Sequence, residues 1–186
     1  MPKKLLDQIL VIDVESTCWE GNPPAGQDKE IIEIGVCTVD VKSGELLDKE
    51  SILVRPERST VSEFCTQLTK LTQEQVATGI SFREACEILK TKYRSRERVW
   101  ASYGDYDRKQ FEHQCQSFHV DYPFNSTHIN VKSLVTLACY LPKEVGMPEA
   151  LKLLKLSLQG THHRAGDDAW NIASILATLI RRLREK

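Results

Sequence analysis

The first long apolar run, Ile9-Leu10-Val11-Ile12-Asp13-Val14-Glu15, is rich in β-branched residues and bounded by polar ones, which predicts a buried central strand. Ile31 to Val41 predicts a second strand and Leu46 to Val54 a third, with a turn at Lys42-Ser43-Gly44-Glu45 between them and Pro56 as the stop. These three form a meander, which suits the antiparallel part of a mixed sheet. The period then changes. Thr72-Gln73-Glu74-Gln75 and Ser81-Phe82-Arg83-Glu84 both have capping-box spacing. The first opens a short helix closed by Gly79; the second opens a helix with Phe82, Ala85, Cys86, Leu89 and Tyr93 on one stripe. Arg98 to Tyr103 predicts a fourth strand, followed by a helix from Asp105, suited to its N-cap, to Phe118. His128 to Val131 predicts a short fifth strand, and Ser133 to Leu141 a helix. Pro148 fits the first position of another helix, through Leu156. Gly160 to Gly166 reads as a loop before a last helix ending at Leu183. Strands first, then strands alternating with helices, predict a mixed α/β sheet flanked by helices.

Polar residues break this pattern at informative places. Asp13 and Glu15, two apart on a strand, share one face, where they repel and each loses hydration. Alone, such a pair also fits an acidic strand end emerging into solvent. Asp107 lies on a stripe with Phe111 and Cys115, directed inward, although a first-turn acid is also what a helix dipole favours. In the last helix, Ile172, Ile175, Leu179 and Leu183 define the core stripe, and one turn back it reaches Asp168. Asp167 aligns instead with Asn171, Ser174 and Thr178, a face expected to be wet. His162 and His163 stand in the loop before this helix, equal candidates until spacing is considered.

Composition narrows the classes. At 186 residues the chain fits one domain, 1–186, with no internal repeat or linker. A net charge of −1 lacks the basic field of a tight non-specific nucleic-acid binder, so such contacts must be local or metal-assisted. Six scattered cysteines without a C-x-x-C pair argue against a zinc site, and with no signal-peptide or membrane-spanning pattern they predict a cytoplasmic protein with reduced thiols. The sequence sets no oligomeric state.

Taken in order, D-x-E on a strand end, an inward Asp opening a helix, and His-x₄-Asp entering the last helix resemble the DEDDh group of 3′-to-5′ exonucleases, closest to the Eri-type exoribonucleases. Further matching patches carry the resemblance: Asp13-Val14-Glu15-Ser16-Thr17-Cys18, Glu20-Gly21-Asn22-Pro23-Pro24, Glu30-Ile31-Ile32-Glu33, Val54-Arg55-Pro56-Glu57, Phe64-Cys65 with Leu68-Thr69, Leu71 to Val76, Gly166-Asp167-Asp168 and Asn171-Ile172-Ala173. Tyr106 stands where the Eri type commonly has Trp, and the residues between His163 and Asp168 also differ. The length leaves no room for the extra RNA-binding domain that some members carry.

The resemblance implies a ribonuclease-H-like (DnaQ-like) fold with a mixed five-stranded sheet. It further implies two Mg²⁺ ions, with Mn²⁺ as a substitute, held by Asp13, Glu15, Asp107 and Asp168. Two such ions stabilise the attacking and leaving oxygens of a phosphodiester. His163 is implied as the general base, with Ser16, Thr17, Phe64, Leu68 and Tyr106 seating the terminal nucleotide. Phe64, Leu68 and Tyr106 equally suit ordinary packing. Lys152, Lys155, Arg164, Arg108 and Lys109 are candidates for tracking phosphates, with a solvated surface as their simpler role. The expected partner is an RNA 3′ end, or a DNA end met by the same chemistry. A catalytically dead RNA-binding module is the competing class, disfavoured because a binder has no need of all four carboxylates and His163.

Overall fold

The computed structural model describes residues 5–185, so Met1–Lys4 and Lys186 lie outside it. Five strands form one sheet: β1 (Leu5–Ser16), β2 (Ile31–Asp40), β3 (Leu46–Leu53), β4 (Arg98–Ser102) and β5 (His128–Asn130). Their order is β3-β2-β1-β4-β5. β1 pairs antiparallel with β2 and parallel with β4, β2 pairs antiparallel with β3, and β4 parallel with β5. The meander and the parallel half expected from the sequence are both present, with β1 at the centre. Seven helices complete the described chain: α1 (Glu63–Thr69), α2 (Gln73–Ala77), α3 (Phe82–Thr91), α4 (Tyr106–Phe118), α5 (Val131–Ala138), α6 (Met147–Leu153) and α7 (Ala165–Arg184).

Strand alternation divides the core between the two faces of the sheet. Leu10, Ile12 and Val14 of β1 cluster with Trp100 of β4 and with Phe82, Leu89 and Phe111 of the layer of α3 and α4. Ile9 and Val11 face the other way, against Ile172, Ile175 and Leu176 of α7 and Leu151 of α6. Both faces of β1 are therefore covered, which is why its run from Ile9 to Ile12 is continuously apolar.

Local signals at helix starts hold where side chains close on their own backbone. Thr72 and Ser81 each form a full capping box, with Gln75 and with Glu84. Tyr93 stays on the buried stripe although α3 ends at Thr91. Other expectations shift. Asp105 occupies the N-cap of α4, but its side chain caps nothing and accepts from Arg108 instead. Asn130 ends β5 and caps α5, its side chain accepting from the Ser133 amide at 3.1 Å, so that helix starts at Val131 rather than Ser133. α6 begins one residue before Pro148, and α7 takes the last two residues of the expected loop. α1 carries no apolar stripe that sequence reading could catch. Its buried residues are Cys65 and Thr69, while Phe64 and Leu68 face outward.

Candidate active site

Asp13 and Glu15 continue the β1 face that carries Ile9 and Val11, so strand geometry aims both carboxylates toward α7. Across the ladder Asp13 stands opposite Gly35, and Glu15 opposite Glu33. A Cβ on Gly35 would lie 1.8 Å from the Ala165 carbonyl oxygen, so only glycine lets the start of α7 descend onto the sheet there. Glu33 is fully buried and accepts from the Ala165 amide at 2.8 Å and from Arg164 Nη2 at 2.8 Å. It thereby satisfies an open N–H of α7, whose N-cap residue Arg164 supplies no side-chain cap. Glu33 belongs to a motif patch, yet nothing in its spacing announced this clamp. Arg164, expected among the phosphate-tracking residues, is committed to Glu33.

The seated helix delivers Asp168 into the space above Asp13 and Glu15. One oxygen from each of the three carboxylates lies within 4.8 Å of the others. Asp168 is buried and accepts from the His163 amide at 2.9 Å and from His162 Nδ1 at 2.9 Å to Oδ2 and 3.1 Å to Oδ1. His163 adopts a left-handed backbone (φ 65°), and its ring stacks on His162 with centroids 3.9 Å apart. Asp167 points away, bonded to Lys49 and to the Thr161 amide. The wet face expected beyond it is corrected at Asn171, which is fully buried because its side chain completes the Gln159 backbone.

Asp107, in the first turn of α4, reaches β1 from the opposite side. The parallel ladder to β4 stops at Val11, and further along β1 the Val14 amide donates to Asp107 Oδ1 at 3.0 Å. A cleft of about 440 Å³ opens over these groups, lined by Asp13, Glu15, Asp107, Asp168, His162 and His163. Ser16, Leu68 and Tyr106 also line it. Phe64 sits one turn before Leu68 on α1, exposed and outside the cleft lining. Thr17 is fully buried and not in the cleft lining, its hydroxyl donating to Asp28 O and accepting from the Glu30 amide. Of the expected phosphate-tracking residues, Lys152, Lys155, Arg108 and Lys109 do not line the cleft, and Arg108 is paired with Asp105 and Glu112. Lys29 does line it, its ammonium 5.5 Å from the Tyr106 ring centroid.

Burial and mutual repulsion dominate the electrostatics. Asp13 is pushed well above the usual carboxylate range, by burial first and then by Asp107, Glu15 and Asp168. Burial, with Asp168 and Glu33 nearby, raises Glu15 to about 8. Burial raises Asp107 to about 7, against the opposing hydrogen bond from Val14. Burial also raises Asp168, partly offset by the His163 amide. His163 is lowered by burial and by His162 beside it.

This donor set fits a hard divalent cation. Carboxylate oxygens converge from β1 and α7, Asp107 of α4 lines the same cleft, and the Arg164 guanidinium is taken by Glu33. A pH effect on stability follows. Carboxyls raised in the folded state bind more protons there than when unfolded, so stability falls as pH rises from about 4 toward 8. In chelator, the thermal midpoint is expected to drop between about pH 6 and pH 8, and Mg²⁺ to restore more at the higher pH. A midpoint that climbs with pH in chelator would contradict this.

A five-stranded mixed sheet whose central strand, α4 and α7 gather four carboxylates and a histidine defines the DEDDh exonuclease class of ribonuclease-H-like proteins. The exonuclease family profile of the RNase T type matches residues 10–176, and the chain belongs to that family. The 3′-5′ exoribonuclease 1 of Rattus norvegicus is 33% identical over 184 residues, covering 94% of this chain and 53% of that protein. Its Homo sapiens counterpart is 32% identical, covering 94% and 52%. The chain thus spans about half the length of these curated relatives. Among solved structures, the nuclease domain of 3′hExo, described as a DEDDh family member bound to rAMP, superposes with a TM-score of 0.84 at 31% identity, covering 96% of this chain and 92% of that one. Among the described residues no helix is long and apolar enough to cross a membrane.

Proposed function

We propose that the chain is a metal-dependent 3′-to-5′ exoribonuclease domain that releases nucleoside 5′-monophosphates from single-stranded or overhanging RNA 3′ ends. The observation that carries this reading is the convergence of Asp13, Glu15, Asp107, Asp168 and His163, from separate elements, on one cleft. The names of the relatives and the rAMP bound to the 3′hExo domain support it.

Asp13, Glu15, Asp107 and Asp168 are the residues that hold two Mg²⁺ ions, or Mn²⁺ in their place. Bound there, the ions supply charge stabilisation for the attacking and leaving oxygens. His163 accepts the proton of the attacking water. Its depressed pKa keeps the imidazole neutral, with a free lone pair, near pH 7. The Asp168 carboxylate takes the His163 amide, which fixes the backbone that carries the base. Tyr106 and Leu68 give the terminal base an aromatic and an aliphatic wall, and Ser16 lies beside them for the sugar. Lys29, over Tyr106, is placed for a phosphate.

The test is 5′-labelled RNA and DNA of equal sequence, incubated with purified protein and Mg²⁺. A ladder shortening from the 3′ end of RNA, absent in chelator, is expected. Internal cuts, or hydrolysis indifferent to chelator, would sink the reading, and equal or greater hydrolysis of DNA would move the substrate to DNA ends.

A further inference from the structure

The cleft holds a second set of metal donors, different in chemistry from the carboxylate trio. His162, His163 and Asp168 each offer one ligand atom, and these atoms lie within 4.8 Å of one another. His162 Nδ1 already meets both Asp168 oxygens, at 2.9 and 3.1 Å, and the two imidazoles stack face to face on the cleft wall. Two nitrogens and one carboxylate oxygen are a poor set for Mg²⁺, which takes oxygen ligands. They suit a borderline transition cation, which binds imidazole readily and accepts two His and one carboxylate with water in the remaining position. A hydrogen bond between two such donors marks a place where a cation can replace the proton. The Nδ1 proton of His162 then moves to Nε2, leaving the Nδ1 lone pair for the metal.

We infer that His162, His163 and Asp168 form an inhibitory site for Zn²⁺ or a like transition cation. The two donor sets share Asp168, so occupation of one withdraws a ligand from the other. The same cation occupies a nitrogen lone pair of His163, which then cannot accept a proton. The distinguishing residue is His162. Among the described hydrogen bonds it makes no contact with Asp13 or Glu15, and it meets the carboxylate trio through Asp168 alone. Zn²⁺ binding stands on the donor geometry alone; its inhibitory consequence rests on the nuclease reading above.

The test is competition for Zn²⁺ between the full chain and a chromogenic chelator, in excess Mg²⁺ and without RNA. One Zn²⁺ per chain is expected, and His162→Ala and His162→Gln should each weaken it at least about tenfold. His162 is half-exposed in a loop, and thermal unfolding of both variants in chelator confirms that they fold. Co²⁺ as a coloured substitute should give visible absorption bands that both variants lose. Absence of binding, or equal Zn²⁺ affinity in wild type and variants, overturns the site. In a second arm, Zn²⁺ should stop Mg²⁺-supported RNA hydrolysis over the concentration range in which it binds. Hydrolysis that continues with Zn²⁺ bound overturns the inhibition. If Mg²⁺ alone supports no hydrolysis, it is the nuclease reading that fails, and the binding arm still decides the site.

Discussion

Asp13→Asn is expected to lower Mg²⁺-dependent RNA hydrolysis by about a thousandfold or more, while raising the thermal midpoint of the metal-free protein near pH 8. The two effects have opposite signs for one reason. Asp13 sits among Glu15, Asp107 and Asp168 with its charge disfavoured by burial, a cost that only a cation offsets. An amide of the same shape removes the repulsion and also one ligand charge. Steady-state hydrolysis and calorimetry in chelator measure the two sides. A variant both inactive and less stable would point to a structural role for Asp13, and one with near-normal hydrolysis would remove it from the metal site.

The second large effect is expected at His163. His163→Ala should lower kcat by about 10²–10⁴-fold, the usual range for a lost general base, with RNA affinity nearly unchanged. Only the ring is lost, because the amide that bonds Asp168 belongs to the backbone and survives the substitution. His162→Ala should cost less, since His162 acts through its hydrogen bond to Asp168. Measuring kcat and RNA binding separately for both variants decides the matter. The reverse ranking would transfer the base to His162 and shift the reading of the last motif by one residue.

Much of the architecture was legible because it is written locally. Strand alternation aims Asp13 and Glu15 the same way, and helix period turns Asp168 inward; both follow from residues a few positions apart. The capping boxes at Thr72 and Ser81 close within three residues and were equally readable. What escaped is set by distant partners. Asn171 belongs by period to a polar face, but the backbone at Gln159 lies against it and buries it. The Thr17 hydroxyl is taken by the Asp28–Glu30 backbone, a pairing that nothing near Thr17 in the sequence announces. Arg164 read as a free cation until Glu33, far away in the chain, claimed it. Short α1 hid for a different reason: its apolar side chains face outward, so a search for a buried stripe misses it.

The close seating of α7 at Gly35 also bears on when the carboxylate trio comes into being. Two members of the carboxylate trio lie on the first strand, and the third arrives only with the last helix. No shorter stretch of the sequence holds both, and contacts of such long sequence separation form late in folding. During synthesis the strand that carries Asp13 and Glu15 precedes every other described element. The helix that completes the cleft emerges after every other described element. The trio therefore exists only once β1 and α7 are packed together, and a chain cut short before α7 would carry Asp13 and Glu15 without Asp168.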